Sequence, residues 1–285
     1  MKICIGVETI DVRQLAAYCD GRLAGDEPYV NGEVKWVCTD SREATEKETL
    51  FAVTVGERVD GHTFMRKAYE GGCRLFLCQR IPEDMTGCAY CAIVVPDTVE
   101  ALGKIARRYG ETLGIPAVAV TGSVGKTTTK ELIREVLSVK YRVAATEGNL
   151  NNSIGVPLTL LKMAPDTQIA VVEMGASHPG DIKELVDIAL PNFGLVTNVG
   201  KAHLLGFGSF EGVKATKGEL YDYLRRTSDK VFLNVDNPHL CQMASERNLQ
   251  SDPERPYSLI LPYGLDYSGA KVLPSSPEYP YLRID

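Results

Sequence analysis

Residues 116–130 read Pro-Ala-Val-Ala-Val-Thr-Gly-Ser-Val-Gly-Lys-Thr-Thr-Thr-Lys. An apolar run of strand type passes into a glycine-bearing turn and then into a helix start with a lysine in the turn. Gly122 and Gly125 allow a tight turn that points backbone N–H groups inward. The helix that follows offers unpaired N–H donors and the positive end of its dipole to an anion. The ligand expected from this pattern is the phosphates of a nucleotide. Backbone groups of Gly122, Ser123, Val124, Gly125 and Thr128 would surround them, Lys126 would reach the outer phosphates, and the Thr127 hydroxyl would sit on Mg²⁺. The common phosphate-loop pattern has a glycine five places before Gly125; this chain has Val120 there.

Outward from that loop the sequence alternates between strand and helix. Apolar strands are expected over 117–121, 169–173, 194–198, 230–235 and 257–261, with helices between them. One helix, over 127–139, carries Leu132, Ile133, Val136 and Leu137 on one face. Near-continuous apolar strands separated by helices imply an α/β fold with a mostly parallel sheet covered on both faces. Ligands bind such sheets beyond the carboxyl ends of the strands. Upstream, residues 1–95 form a smaller unit. It has a helix over 12–20, strands over 35–39 and 49–55, a helix over 64–70, and two strands that carry cysteines. Pro96-Asp97 marks the expected boundary, and Asp97 or Thr98 caps a helix over 99–109. The expected domains are therefore 1–95 and 96–285.

The 285 residues suffice for two domains, and 44% hydrophobic with 24% charged residues is a globular composition. A net charge of −6 argues against a mainly electrostatic grip on nucleic acid. No apolar run approaches the roughly 20 residues that span a bilayer, and the first residues lack a signal-peptide core, so a cytoplasmic location is expected. The eight cysteines should then be reduced thiols. Cys73, Cys78 and Cys91 border or begin apolar runs and read as small core residues rather than zinc ligands.

Polar residues fall at the strand ends. Glu173 closes Ile-Ala-Val-Val-Glu, where an acid across from a phosphate loop can hold Mg²⁺ directly or through water. His203 follows Thr197-Asn-Val-Gly-Lys-Ala, and Lys217 lies at an expected helix start. Asn149, Asn151 and Asn152 crowd a loop too polar for core.

Taken together these stretches resemble the Mur ligase family. The matching segments are Thr39-Asp-Ser-Arg42, Gly56-Glu-Arg-Val-Asp-Gly-His62, residues 120–130, Gly148-Asn-Leu-Asn-Asn152 with Ile154-Gly-Val-Pro157, and Val172-Glu-Met-Gly-Ala176. Ala202-His203, Gly206-Phe-Gly208, Ala215-Thr-Lys-Gly-Glu219 and Asn234-Val-Asp236 complete the set. The motif wording is most like the member that adds D-alanyl-D-alanine to UDP-N-acetylmuramoyl-tripeptide. The resemblance implies ATP and Mg²⁺ as cofactors and an acyl-phosphate intermediate. It also implies a small N-terminal domain for the UDP end of the substrate and a P-loop NTPase-like central domain.

By that resemblance Lys126 binds phosphate, and Thr127 and Glu173 lie near a first metal. His203 and a carbamylated Lys217 hold a second, and Asn234 lies near the adenine. Ser41 and Arg42 cradle the UDP end with His62 close by, and Asn151 and Asn152 belong to the substrate-side loop. Asn237 departs from the family pattern, which often has an acid there.

Family members continue into a third, Rossmann-like domain. This chain is therefore expected to correspond to the first two domains, to be a monomer, and to ligate little by itself. The alternatives are the sister ligase that adds the third amino acid and a non-catalytic UDP-sugar-binding module. Folylpolyglutamate synthetase shares the nucleotide domain, but Asp40-Ser-Arg42 argues against it.

Overall fold

The computed structural model describes residues 1–56, 59–200, 204–249, 259–265, 272–273 and 283–284. Chain proximity divides the molecule into two units. The first comprises Met1–Ile115, Leu137–Ala170 and Asp187–Leu190; the second comprises Pro116–Val136, Val171–Val186 and Pro191–Asp285. Position 95/96, the boundary expected from the sequence, falls inside the first of these units.

The first unit is built on a six-stranded sheet. Its order is Lys2–Cys4, Trp36–Cys38, Thr49–Ala52, Leu75–Cys78, Cys91–Val94, Arg22–Gly25. The inner four strands run parallel and the two outer ones antiparallel. Thr49–Ala52 and Leu75–Cys78 are buried at every residue, as strands covered on both faces must be. Phe51, Met65, Phe76 and Met85 fill one side together with Cys38, Cys73 and Cys78. The cysteines thus pack as small apolar groups, and all eight are free thiols. Burial pushes Cys73 and Cys78 up to about 12 and Cys19 and Cys91 up to about 11.

Asp97 caps the helix Thr98–Leu113 by accepting from the N–H groups of Val99 and Glu100. That helix runs four residues further than periodicity suggested. It stops at Gly114, whose φ of +62° is the left-handed helix end that glycine favours. It packs against the helix Gly155–Leu161, a segment buried throughout.

The second unit carries a sheet in which Ile169–Glu173, Ala117–Thr121, Phe193–Val196, Lys230–Asn234 and Ile260–Tyr263 lie side by side in that order. From Ala117–Thr121 across to Ile260–Tyr263 the pairs are parallel. The first two strands match the sequence reading residue for residue. The strand expected over 257–261 falls partly outside the described residues, and its described part begins at Ile260. The helix Phe210–Thr227 packs on the three middle strands.

One expectation fails in the helix Lys126–Ser138. Its apolar residues do not form a covered face: Leu132 is 63% exposed and Val136 72%. The side chain it buries completely is Lys130, paired with Glu131.

Candidate functional site

The site in the second unit begins where the buried strand Ala117–Thr121 ends. Gly122 turns the chain with φ +141°, and a Cβ there would stand 2.0 Å from the Thr197 hydroxyl. Gly125, at φ +83°, admits the backbone to the helix Lys126–Ser138. The N–H groups of Gly125, Lys126, Thr127 and Thr128 have no partner among the described residues. Such unpaired donors at a helix start, with the positive end of the dipole behind them, form an anion seat. Lys126 Nζ stands at the same place, donating to the Gly122 carbonyl at 2.9 Å.

The sequence placed all the amides from 122 to 128 around the phosphates. The structure narrows this. Ser123 N–H donates to the Asn198 carbonyl at 3.0 Å, and Val124 N–H donates to Asn198 Oδ1 at 3.1 Å. Both are occupied, and the open donors beyond them are the four at 125–128.

Glu173 ends its strand with 1% exposure, and its Oε2 accepts from the Thr127 hydroxyl at 2.9 Å. The pair sequence reasoning expected near the first metal is therefore in direct contact. The pairing has a local cause. Met174 N–H donates to the Val120 carbonyl and Thr121 Oγ1 to the Met174 carbonyl, which fixes the two strand ends side by side.

Lys217 sits in the middle of the helix Phe210–Thr227, not at its start. Its side chain is 3% exposed, with Nζ 5.8 Å from the centre of the Phe207 ring. Burial first, and the Lys126 charge second, lower it from 10.5 to about 8, while Asp181 and Glu219 work the other way. Those two carboxylates are themselves engaged. Asp181 accepts from Ser177 and His178 N–H, and Glu219 accepts from Gly180 and Lys183 N–H, each of the latter at 2.8 Å. His203, with Ala202, lies outside the described residues. Among the described residues no three His, Cys, Asp or Glu side chains gather as a metal cage.

Asn234 ends the strand Lys230–Asn234, and its Oδ1 accepts from Asp236 N–H at 3.0 Å. Asn237, the departure from the family acid, caps the helix Pro238–Glu246 by accepting from His239 and Leu240 N–H. An amide caps as well as an acid does.

The remaining expected residues lie in the first unit. Arg42 is 79% exposed and forms a fork on Asp40, whose carboxyl it holds well below the usual carboxylate range. Ser41 lies half-buried between them. His62 is 1% exposed with both ring nitrogens used. Nε2 accepts from the N–H groups of Gln79 and Arg80, so Nδ1 carries the hydrogen and donates to Asp60 at 2.6 Å. His62 thus fastens its turn rather than presenting a free nitrogen. The bonds from His62, and less from Arg80, bring Asp60 down to about 2. Asn152 Oδ1 accepts from Gly155 N–H at 2.8 Å and starts the following helix, with Asn151 beside it.

Two residues that sequence reasoning passed over bear on the site. Thr197 Oγ1 and Asn198 Nδ2 both donate to the Val124 carbonyl, at 2.7 and 2.9 Å. The available signal was a polar pair directly after the apolar strand Phe193–Val196.

Residues 120–253 match the family model described as Mur ligase middle domain. The chain belongs to the Mur ligase family. It is 39% identical over 236 residues to the UDP-N-acetylmuramoyl-tripeptide--D-alanyl-D-alanine ligase of Bacillus subtilis, covering 81% of this chain and 51% of that protein. It is 38% identical over 229 residues to the ligase of the same name from Escherichia coli, covering 80% and 48%. Among solved structures, MurF from Acinetobacter baumannii superposes with a TM-score of 0.81 at 27% identity, covering 98% of this chain and 61% of that one. MurF ligase from Thermotoga maritima in complex with ADP gives 0.73 at 29% identity, covering 87% and 57%. The chain spans about half the length of the curated Mur ligases it matches.

Proposed function

We propose that this chain is the UDP-substrate and nucleotide portion of an ATP-dependent amide ligase that joins D-alanyl-D-alanine to UDP-N-acetylmuramoyl-tripeptide. In this reading residues 1–95 take the UDP end of the substrate and residues 96–285 take ATP. The observation that carries it is the anion seat: four open N–H groups at 125–128 with the Lys126 ammonium and the Thr127–Glu173 pair beside them. The names of the relatives, and the ADP complex of one of them, support this choice of nucleotide and substrates.

A carboxylate is a poor acyl donor, so the reaction first moves the γ-phosphoryl group of ATP onto it. The amine of D-alanyl-D-alanine then attacks the acyl phosphate, and phosphate leaves. Phosphoryl transfer is catalysed by alignment and charge neutralisation more than by proton movement. Lys126 and the loop amides supply both. Glu173 and Thr127 offer the hard oxygen donors that Mg²⁺ takes, and an ion held there would neutralise phosphate charge. With few protein ligands in place, water and phosphate oxygens would complete its shell.

Titration of this chain with ATP in Mg²⁺ tests the reading. Binding is expected for the wild type, and Lys126→Ala is expected to weaken it by about 10- to 100-fold, since a charge-assisted hydrogen bond contributes about 1.5–3 kcal/mol. Absence of uptake by the wild type would refute the nucleotide reading.

Lys217 is read as a carbamate, which turns a buried cation into an oxygen donor for a metal. The neutral amine attacks carbon dioxide, an N–C bond forms and the amine proton leaves. A lysine at about 8 keeps roughly a tenth of its amine neutral at pH 7, whereas an ordinary lysine keeps less than about a thousandth. A ¹³C-bicarbonate experiment should show a carbamate carbon resonance that disappears in Lys217→Ala. A resonance unchanged by that substitution would remove the assignment.

A further inference from the structure

We propose that Asn198 is a positioning residue that grips the phosphate loop at Val124 and so aims the four open amides. The inference rests on the nucleotide reading above and goes one residue deeper into it.

Asn198 uses its whole amide on one residue. Oδ1 accepts from Val124 N–H at 3.1 Å and Nδ2 donates to the Val124 carbonyl at 2.9 Å. Its own backbone carbonyl accepts from Ser123 N–H at 3.0 Å. Around that grip Thr197 Oγ1 donates to the Val124 carbonyl at 2.7 Å, and Gly200 N–H donates to Ser123 Oγ at 2.9 Å. Two consecutive loop residues are therefore tied to the segment that leaves the neighbouring strand Phe193–Val196.

The grip falls at the most exposed part of the turn. Val124 is 67% exposed, so no side-chain packing fixes its peptide planes. Gly122 and Gly125 on either side have positive φ and would otherwise leave the turn free to rotate. A carboxamide carries an acceptor and a donor side by side on one planar end. It holds both the N–H and the C=O of Val124 and thereby fixes the peptide planes that lead into Gly125. The donors of Gly125 to Thr128 then point to one anion position before ligand arrives, so binding does not have to order them. An aspartate at 198 could not donate to the Val124 carbonyl and would bring a negative charge beside the phosphates.

Asn198→Leu removes both side-chain bonds while keeping the number and branching of side-chain heavy atoms. Two readouts separate gripping from mere stability. In hydrogen exchange of the unliganded chain, the Val124 amide is expected to lose at least tenfold protection, while amides of the strand Lys230–Asn234 keep theirs. In titrations well below the melting temperature, Kd for ATP and for inorganic triphosphate should rise by the same factor, about 10- to 50-fold, with the affinity for adenosine unchanged. Wild-type triphosphate binding with an unchanged constant in Asn198→Leu would overturn the grip alone. Failure of the wild type to bind triphosphate would overturn the nucleotide reading and this role with it, even if Val124 were protected. Should Asn198→Leu not fold, Thr197→Val, which removes only the hydroxyl bond to the same carbonyl, is expected to give a smaller shift in the same direction. No shift in that variant would count against the proposal.

Discussion

Alanine at position 122 is expected to cost about 3 kcal/mol of stability and to reduce ATP affinity by more than about 100-fold. Two effects add. The φ of +141° belongs to a region that side-chain-bearing residues scarcely enter. The new methyl would also overlap the Thr197 hydroxyl, at 2.0 Å, and press on the backbone N and O of Asn198 at 3.1 Å. Those groups hold Ser123 and Val124, so relief of the clash releases the turn itself. Gly125→Ala provides the contrast. Its φ is +83°, but a Cβ there meets nothing within 4 Å, so strain acts alone and about 1 kcal/mol is expected. Denaturant midpoints and ATP titrations on the two variants check this. Equal effects would mean that the Thr197 contact carries no weight.

The second large effect is with pH. Cys19, Cys73, Cys78 and Cys91 all lie in the first unit and are held near 11 to 12, against 9.0 for a free thiol. Above pH 9 the unfolded chain releases these protons and the folded chain keeps them. The folded state then binds more protons, and stability falls as pH rises. Each thiol contributes about 1.4 kcal/mol per pH unit in that window, so the first unit should lose about 5 kcal/mol by pH 10, comparable with a whole domain's stability. The second unit carries the opposite sign. As the free amine, before carbon dioxide adds to it, Lys217 is lowered to about 8, so the unmodified chain gains stability there as pH rises from 8 to 10.5. The single tryptophan, Trp36, lies in the first unit. Its fluorescence, read under reducing conditions, should therefore report a melting temperature that drops sharply from pH 8 to pH 10. Cys78→Val should flatten the drop. A pH-independent Trp36 transition would contradict the assignment.

Much of the fold was legible because local pattern and tertiary demand coincide. Ala117–Thr121 and Ile169–Glu173 are short apolar runs bounded by polar residues, and each is a strand at those bounds. Asp97 was readable as a helix cap because capping is a contact two or three residues long. Lys217 was expected at a helix start, but the helix begins at Phe210. The actual signal was Ser209, whose hydroxyl oxygen accepts from Gly212 N–H and opens the helix eight residues before the lysine. Leu132 and Val136 show the limit of periodicity, which finds an apolar face without saying whether anything covers it. Asn198 and His62 were opaque for another reason. Asn198 acts on a residue 74 positions away, and His62 on backbone groups 17 and 18 positions away, and no local spacing encodes such contacts.

The open donors at 125–128 also bear on how this protein is handled at the bench. Inorganic sulfate or orthophosphate in a buffer is the right charge and size to occupy them. Any ion that binds the native form shifts the unfolding equilibrium by mass action. Melting curves recorded in phosphate are therefore expected to lie above those recorded in chloride, where that electropositive pole is left bare.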